Sequence, residues 1–282
     1  MSRQEFSDHL RMLATEYPFA GRIRPDSGEL QDIASTILRW LKPPSKLLDF
    51  GAGACVVTGL LSMLGYECSA CDDLADPWAS VVNNQAKALG FARRRNIRFV
   101  ACEREKPLPF AKGEFDALIM NDVLEHLHDS PKDLLIDLLS LVRPDGFLFV
   151  TVPNAVNLLK RARVLVGKTN MPPFDTYYWS AGSWRGHVRE YTRNDLCQLG
   201  DFLNLEILEL RGVHHHIHVI PRHLRPIWLG LTGLLKGTRD TWSLVAKKRA
   251  DWSPEQRTKE EIERMFARAA HCRDDTGRAG SR

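Results

Sequence analysis

Residues 46–72, KLLDFGAGACVVTGLLSMLGYECSACD, set two carboxylates on either side of a glycine turn. Leu47 and Leu48 lead into Asp49, and Gly51 and Gly53 follow at alternate positions. Glycine accepts positive φ and lets a ligand approach the backbone. The apolar run Val56–Met63 predicts a helix straight after the turn, with its first N–H groups aimed at whatever lies over it. A second apolar run ends at Asp72, where a ribose hydroxyl is met in a strand–turn–helix–strand unit. These are the parts of a site for a nucleoside-containing cofactor.

Two ligand chemistries compete for such a turn. A pyrophosphate-binding turn wants glycine at its first, third and sixth positions, which here are Gly51, Gly53 and Val56. The missing third glycine is the one that permits close helix–strand packing beneath a pyrophosphate. Asp49, two residues before the first glycine, repels a phosphate and suits a cationic or zwitterionic ligand.

On these residues the chain resembles the class I S-adenosylmethionine-dependent methyltransferases. Their first motif reads acid-x-Gly-x-Gly-x-Gly, and Asp49-Phe-Gly51-Ala-Gly53-Ala-Cys55 matches it except at Cys55. KPLPFAKGEFDALIMNDVLEHLHD (106–129) is similar to the fourth-strand region, including Val123-Leu124-Glu125-His126. LVRPDGFLFVTVPN (141–154) looks like the fifth strand and its turn, and GHVREYT (186–192) resembles a segment of a small-molecule and glycan-modifying branch. The resemblance runs in order over residues 28–250. It implies an α/β fold, a Rossmann-like, mostly parallel sheet with an antiparallel last strand and helices on both faces. It implies S-adenosyl-L-methionine as cofactor and methylation, of an oxygen by preference, on a small-molecule, glycan or lipid-linked acceptor. Carried over position by position, Asp49 orients the glycine loop and the cofactor's ammonium, and Gly51 and Gly53 admit its methionine part. Asp72 takes the ribose, with Asp73 as the fallback; Glu103 takes the adenine side and Asn121 faces the methionine end.

On the acceptor side the candidates are His126 and His187 as catalytic groups, with His128, Glu190 and Tyr191 beside them. A histidine near its ordinary pKa of about 6.5 can take a proton at neutral pH. His126 reads also, and more readily, as a cap that holds its loop. Tyr177, Tyr178, Trp179 and Trp184 either wall the acceptor or fill a small core of their own. Because a sulfonium is already an activated electrophile, alignment matters more than a base: orientation contributes on the order of 7–11 kcal/mol, a general base roughly 10²–10⁴-fold.

The elements that must position these groups follow from periodicity. A helix over 28–42 ends at Pro43-Pro44. Strands 46–50, 66–71, 97–101, 115–120 and 147–152 then alternate with helices 56–64, 77–90 and 131–142, which argues a parallel sheet covered on both faces. Residues 155–186 break the rhythm with basic and aromatic residues and predict a lid-like insertion. Thr192 and Asp195 form a capping pair opening helix 193–203, followed by strands 205–211 and 241–247. The organisation is an N-terminal segment 1–27, a methyltransferase domain 28–250 and a charged tail 251–282.

Composition bounds the rest. The chain has 282 residues, 44% of them apolar, enough for one large core. No apolar run is long enough to span a membrane and the first residues lack a secretory apolar block, so a cytoplasmic setting is expected. Cys68 and Cys71 form a C-x-x-C, but within a strand they face opposite sides, which argues against a metal or redox pair. His214, His216 and His218 share a strand face without a carboxylate or cysteine in step, so no metal site is expected there. Residues 221–282 hold 14 basic and 8 acidic residues against 25 and 27 elsewhere. No nucleic-acid motif accompanies that charge, and Asn121-Asp122-Val123-Leu124 is not the tetrapeptide of a base-methylating enzyme, so no nucleic-acid partner is expected. The basic apolar segment 219–236 is suited to peripheral membrane contact. The alternatives are a non-catalytic cofactor-binding module of the same fold and, disfavoured by Val56 and Asp49, a nicotinamide-dependent oxidoreductase.

Overall fold

The strands are β1 (Lys46–Phe50), β2 (Glu67–Asp72), β3 (Arg98–Ala101), β4 (Phe115–Asn121), β5 (Val142–Pro153), β6 (Leu205–Val213) and β7 (Thr241–Lys248). In this computed structural model, which describes residues 3–102, 106–235 and 237–267, they form one sheet in the order β3-β2-β1-β4-β5-β7-β6. β7 runs antiparallel to both its neighbours, and the other paired strands are parallel. The near-continuous apolar runs of β4 and β5 lie at the sheet centre, where both faces are covered.

Alternation along β1 sorts its side chains to the two faces. Leu47 joins a core built from α1 (Arg3–Glu16), α2 (Gly28–Trp40), α3 (Val56–Met63) and, beyond α4 (Pro77–Ser80), α5 (Asn84–Arg94). Leu48 joins the opposite core, with α6 (Pro131–Ser140) and, later in the chain, the helix Arg193–Phe202. Phe6, Leu10 and Leu13 of α1 are buried in the first core, so the N-terminal segment helps cover the sheet. Cys68 and Cys71 fall in opposite cores, as strand alternation requires.

Two boundaries differ from the periodic reading. The expected helix 77–90 is broken into α4 and α5, because Asn83 sits at φ 67°, a left-handed conformation that asparagine tolerates. β5 begins at Val142 rather than 147. Its register jumps from Phe115↔Val142 to Ala117↔Phe147, and the residues between bulge out around Asp145 at φ 60°. Residues 155–186 carry α7 (Leu158–Leu165) and α8 (Phe174–Tyr178), neither with a buried residue. The remaining helices are α9 (Arg193–Phe202) and α10 (Arg225–Leu234). Thr192 caps α9 in a full capping box with Asp195. Among the described residues no helix is long and apolar enough to cross a membrane.

Candidate functional site

The sheet order reverses between β1 and β4, so the loops leaving their C-terminal ends splay apart and open a crevice. The glycine turn leaves β1 there. The N–H groups of Gly51 and Ala52 donate to the Cys71 carbonyl at 2.8 and 3.0 Å, locking the turn to β2. Gly51 has φ +75°, and a Cβ on it would lie 2.4 Å from Val123, so the β4 loop packs directly on the turn. Gly53 has φ +52° and a Cβ there would meet nothing within 4 Å, so the turn presents bare backbone on its open side.

Cys55 explains why glycine is expected at its position. It is fully buried with φ 61° and ψ 36°, left-handed, immediately before α3. That conformation costs a residue with a Cβ about 1–2 kcal/mol. Cys55→Gly is expected to stay within about 1 kcal/mol of native stability, relief of the backbone offsetting the lost sulfur contacts. Cys55→Val, β-branched in the same place, should cost about 2 kcal/mol or more. Urea unfolding of the two variants checks both.

Asp72 accepts from the N–H groups of Gly53 and Leu74, each at 2.7 Å, tying the two turns together. Burial pushes its pKa up against those two bonds. Asp73 is committed elsewhere: Arg185 donates to it at 2.9 Å and to Asp76 at 3.0 Å, latching the end of the 155–186 insertion onto the loop after β2. Asp49 is buried beneath α3, accepts from Thr58 Oγ1 at 2.5 Å, and is pushed up to about 6 by burial, with Asp72 adding to the rise. Asn121 ends β4; its Oδ1 accepts from Thr151 at 3.2 Å, while its Nδ2 is buried with no partner. Asp122 follows at φ 52°, with Oδ1 also buried and unpartnered. Asp49, Gly51, Gly53, Asp72 and Asn121 thus converge on one crevice. A free donor, a bare glycine face and two carboxylates, one of them buried below the turn, suit a zwitterionic nucleoside. Glu103 lies outside the described residues.

The acceptor-side residues also converge. After β4 a short turn, Leu124–His126, brings His126 under the segment 184–191. His187, Val188, Arg189 and Tyr191 of GHVREYT all contact that turn. The N–H of Val188 donates to the Glu125 carbonyl at 2.7 Å, Tyr191 is buried with its OH 3.3 Å from the Leu124 carbonyl, and Tyr191 bridges to Asn154 at the end of β5. His187 Nδ1 donates to Glu190 at 2.9 Å, and Glu190 also pairs with Lys160. Burial pushes Glu190 up, but the hydrogen bonds from His187 and Lys160 outweigh it and hold its carboxyl below the usual range. His126 Nδ1 donates to the Arg185 carbonyl at 2.8 Å, and His128 Nε2 to the Trp184 carbonyl at 2.5 Å. The His126 and His187 rings meet edge to face at 4.9 Å. His126 therefore holds the loop through Nδ1 and keeps the lone pair of Nε2 for another partner; burial lowers its pKa.

Glu125 was not among the candidates. It is fully buried, neither carboxylate oxygen has a hydrogen-bond partner, and burial with Asp122 nearby pushes it up to about 8. In sequence it is one acid in an apolar turn; only the fold encloses it. Tyr177, Tyr178 and Trp179 are 56%, 62% and 79% exposed, so they fill no core of their own. Tyr177 stacks edge-on against Trp184 at 5.3 Å.

The histidine run is a correction to its strand reading. β6 ends at Val213, and the chain then wraps Asp240. His214 bonds Asp240 at 3.0 Å and Thr232 of α10 at 2.9 Å, His215 bonds Asp32 of α2 at 3.2 Å, and the His215 and His216 N–H groups both reach Asp240. Asp240 is held far below the usual carboxylate range by these bonds despite its burial. The run is a polar clasp that seats α10 beside the sheet.

The sequence matches the family described as a methyltransferase domain over residues 22–210. A demethylmenaquinone methyltransferase from Corynebacterium efficiens is 29% identical over 140 residues, 44% of this chain and 55% of that one. The chain thus spans about 55% of that relative's length. In fold it is similar to the 1,6-didemethyltoxoflavin-N1-methyltransferase of Burkholderia thailandensis, whose structure holds S-adenosylhomocysteine. The two are 20% identical with a TM-score of 0.51 over 88% of this chain and 91% of that one. It is similar also to the cyclase SpnF, 16% identical, TM-score 0.54, over 87% and 94% of the two chains. The second likeness shows this fold carrying another chemistry.

Proposed function

We propose that this chain, which belongs to the methyltransferase-domain family, is an S-adenosylmethionine-dependent methyltransferase that methylates a hydroxyl oxygen of a small-molecule, glycan or lipid-linked acceptor. The observation that carries this reading is the His126–His187 pair, its ring centroids 4.9 Å apart after β4, with His126 held by the Arg185 carbonyl and His128 by that of Trp184. When bound, the cofactor supplies a methyl group already activated by its positive sulfur. What this chain must do is orient, dry and deprotonate. Asp72 would take the ribose hydroxyls, the open face of Gly53 the methionine backbone, and Asn121 Nδ2 its carboxylate. Asp49, below the turn, would supply negative potential to the ammonium. His126 and His187 would activate the acceptor hydroxyl, since both rings have Nδ1 committed and Nε2 free to face it. The Arg185 latch to Asp73 and Asp76 would close the insertion and exclude water. Incubation with methyl-labelled cofactor and hydroxyl, amine and carbon acceptors tests the reading. Label in an ether or ester product supports it; label only on nitrogen or carbon overturns it.

A lipid-linked acceptor is supported by the surface beside this crevice. α7 has no buried residue and α10 only Thr232. Leu165, Val166, Ile227 and Leu234 are 86%, 71%, 64% and 84% exposed, with Arg161, Arg163, Arg222 and Arg225 close to them in sequence. The Leu158 N–H, at the start of α7, donates to the carbonyl of Thr238, four residues beyond the end of α10, at 2.9 Å. Apolar side chains interleaved with cations fit an anionic bilayer surface. The full chain is expected to cosediment with phosphatidylglycerol vesicles. Ile227→Glu with Leu234→Glu should weaken that at least ~10-fold, each lost apolar anchor being worth about 1.5–3 kcal/mol. Equal sedimentation of native and variant chains would remove the membrane contact.

A further inference from the structure

We infer that Glu125, His126 and His187 form a binding site for a divalent transition-metal ion at the acceptor side of the crevice. The inference rests on the acceptor reading above and specifies how the histidine pair meets a hydroxyl. One ligand atom from each of the three residues lies within 4.8 Å of the others. A tetrahedral site with ligands at about 2.1 Å has edges of about 3.4 Å, so closure needs side-chain movements of about 1 Å.

Three further observations point to a cation. The Glu125 side chain is completely buried, and neither of its oxygens has a hydrogen-bond partner. A buried carboxylate is normally paired or coordinates a metal. His126 donates its Nδ1 proton to the Arg185 carbonyl at 2.8 Å, and His187 donates its own to the Glu190 carboxylate at 2.9 Å. That second contact is the support metal-ligating histidines almost always have: it fixes the tautomer and turns the other nitrogen toward the ion. Glu190 is in turn held by Lys160, and the Glu125 backbone carbonyl accepts from Val188 and Arg189, so the supporting residues are themselves fixed.

Two imidazoles and one carboxylate suit Zn2+ or a similar borderline ion, whereas Mg2+ prefers oxygen ligands and keeps its waters. Three protein ligands leave a position for an acceptor oxygen. A hydroxyl bound there has a lowered pKa and loses its proton to water. The resulting oxyanion displaces the neutral thioether: the sulfur–methyl bond breaks as the oxygen–methyl bond forms. The histidines then act as ligands, through the ion.

Calorimetry on the full chain, stripped with a chelator, tests this with ZnCl2 and MgCl2 as titrants, S-adenosylhomocysteine affinity being measured on the same samples. Saturable one-to-one Zn2+ binding is expected, with no Mg2+ binding at matched concentration. Glu125→Gln and His187→Gln should each weaken Zn2+ at least ~10-fold while S-adenosylhomocysteine affinity stays within a few-fold, which also reports that the fold is intact. Should Glu125→Gln fail to fold, His187→Gln at the rim decides. Absence of Zn2+ binding by the native chain, equal affinity in the variants, or Mg2+ binding of the same strength would overturn the site. Ion binding without transfer to any hydroxyl would refute the oxygen-acceptor reading and leave the site standing; transfer to a hydroxyl by a chain that binds no ion would do the reverse.

Discussion

Asp72→Ala is expected to weaken S-adenosylhomocysteine binding by about 100-fold or more. Each ribose hydroxyl bonded to a carboxylate contributes roughly 1.5–3 kcal/mol, and two are lost together. A second effect adds to the first. Asp72 also accepts from the Gly53 and Leu74 N–H groups at 2.7 Å, so its removal frees the glycine turn that must approach the methionine part. Asp72→Asn keeps a carbonyl acceptor and should fall between the two. Asp73→Ala is the control. Its carboxylate is 45% exposed and pairs with Arg185, an interaction worth no more than about 1 kcal/mol, so cofactor affinity should change a few-fold at most. Calorimetry with the three variants decides. Native affinity in Asp72→Ala, or an Asp73 effect of the same size, would remove the ribose assignment.

Asp49→Asn should produce the largest dependence on pH. Burial pushes the Asp49 carboxyl up to about 6, so the native state holds its proton more tightly than the unfolded chain, where the value is 3.8. The stabilising contribution of that proton is complete below the unfolded value and is lost as pH rises to about 6. Asparagine cannot ionise. Its chain should match the native one near pH 3 and exceed it by about 3 kcal/mol near pH 8, the two pH units between the folded and unfolded values setting the window. Cofactor affinity should move the opposite way. A ligand ammonium favours ionised Asp49, so S-adenosylhomocysteine binding to the native chain should strengthen up to about 10-fold per pH unit as pH rises toward 6 and then level. In Asp49→Asn that slope should vanish. Paired urea melts and titrations across pH check both. Identical slopes in the two chains would mean that Asp49 does not sense the ligand.

The glycine turn is legible because it is local. Strand, turn, helix and closing acid lie within residues 46–72, and their spacing alone places Asp49, Gly51, Gly53 and Asp72 together. The order of strands and helices is legible for the same reason, period 2 against period 3.6. Where local signals fail, a backbone detail intervenes. Asn83, in left-handed conformation, divides the expected helix 77–90, and the Asp145 bulge lengthens β5.

The acceptor side is a different case. His126 and His187 are 61 positions apart, and nothing in either segment says that their rings will touch. Arg185 reaches back to Asp73 and Asp76, Glu190 to Lys160, and the histidine run folds onto Asp240 and Asp32. Cys55 is the one departure from the glycine motif, and its left-handed φ, invisible in sequence, shows that the position calls for backbone freedom. Sequence alone determined the cofactor turn and the alternation that builds the sheet, since propensity, glycine geometry and periodicity act over a few residues. Tertiary structure alone decided that Glu125 is sealed without a partner beside two imidazoles. Burial and charge proximity are properties of the packed chain, and a single acid in an apolar stretch carries no sign of either.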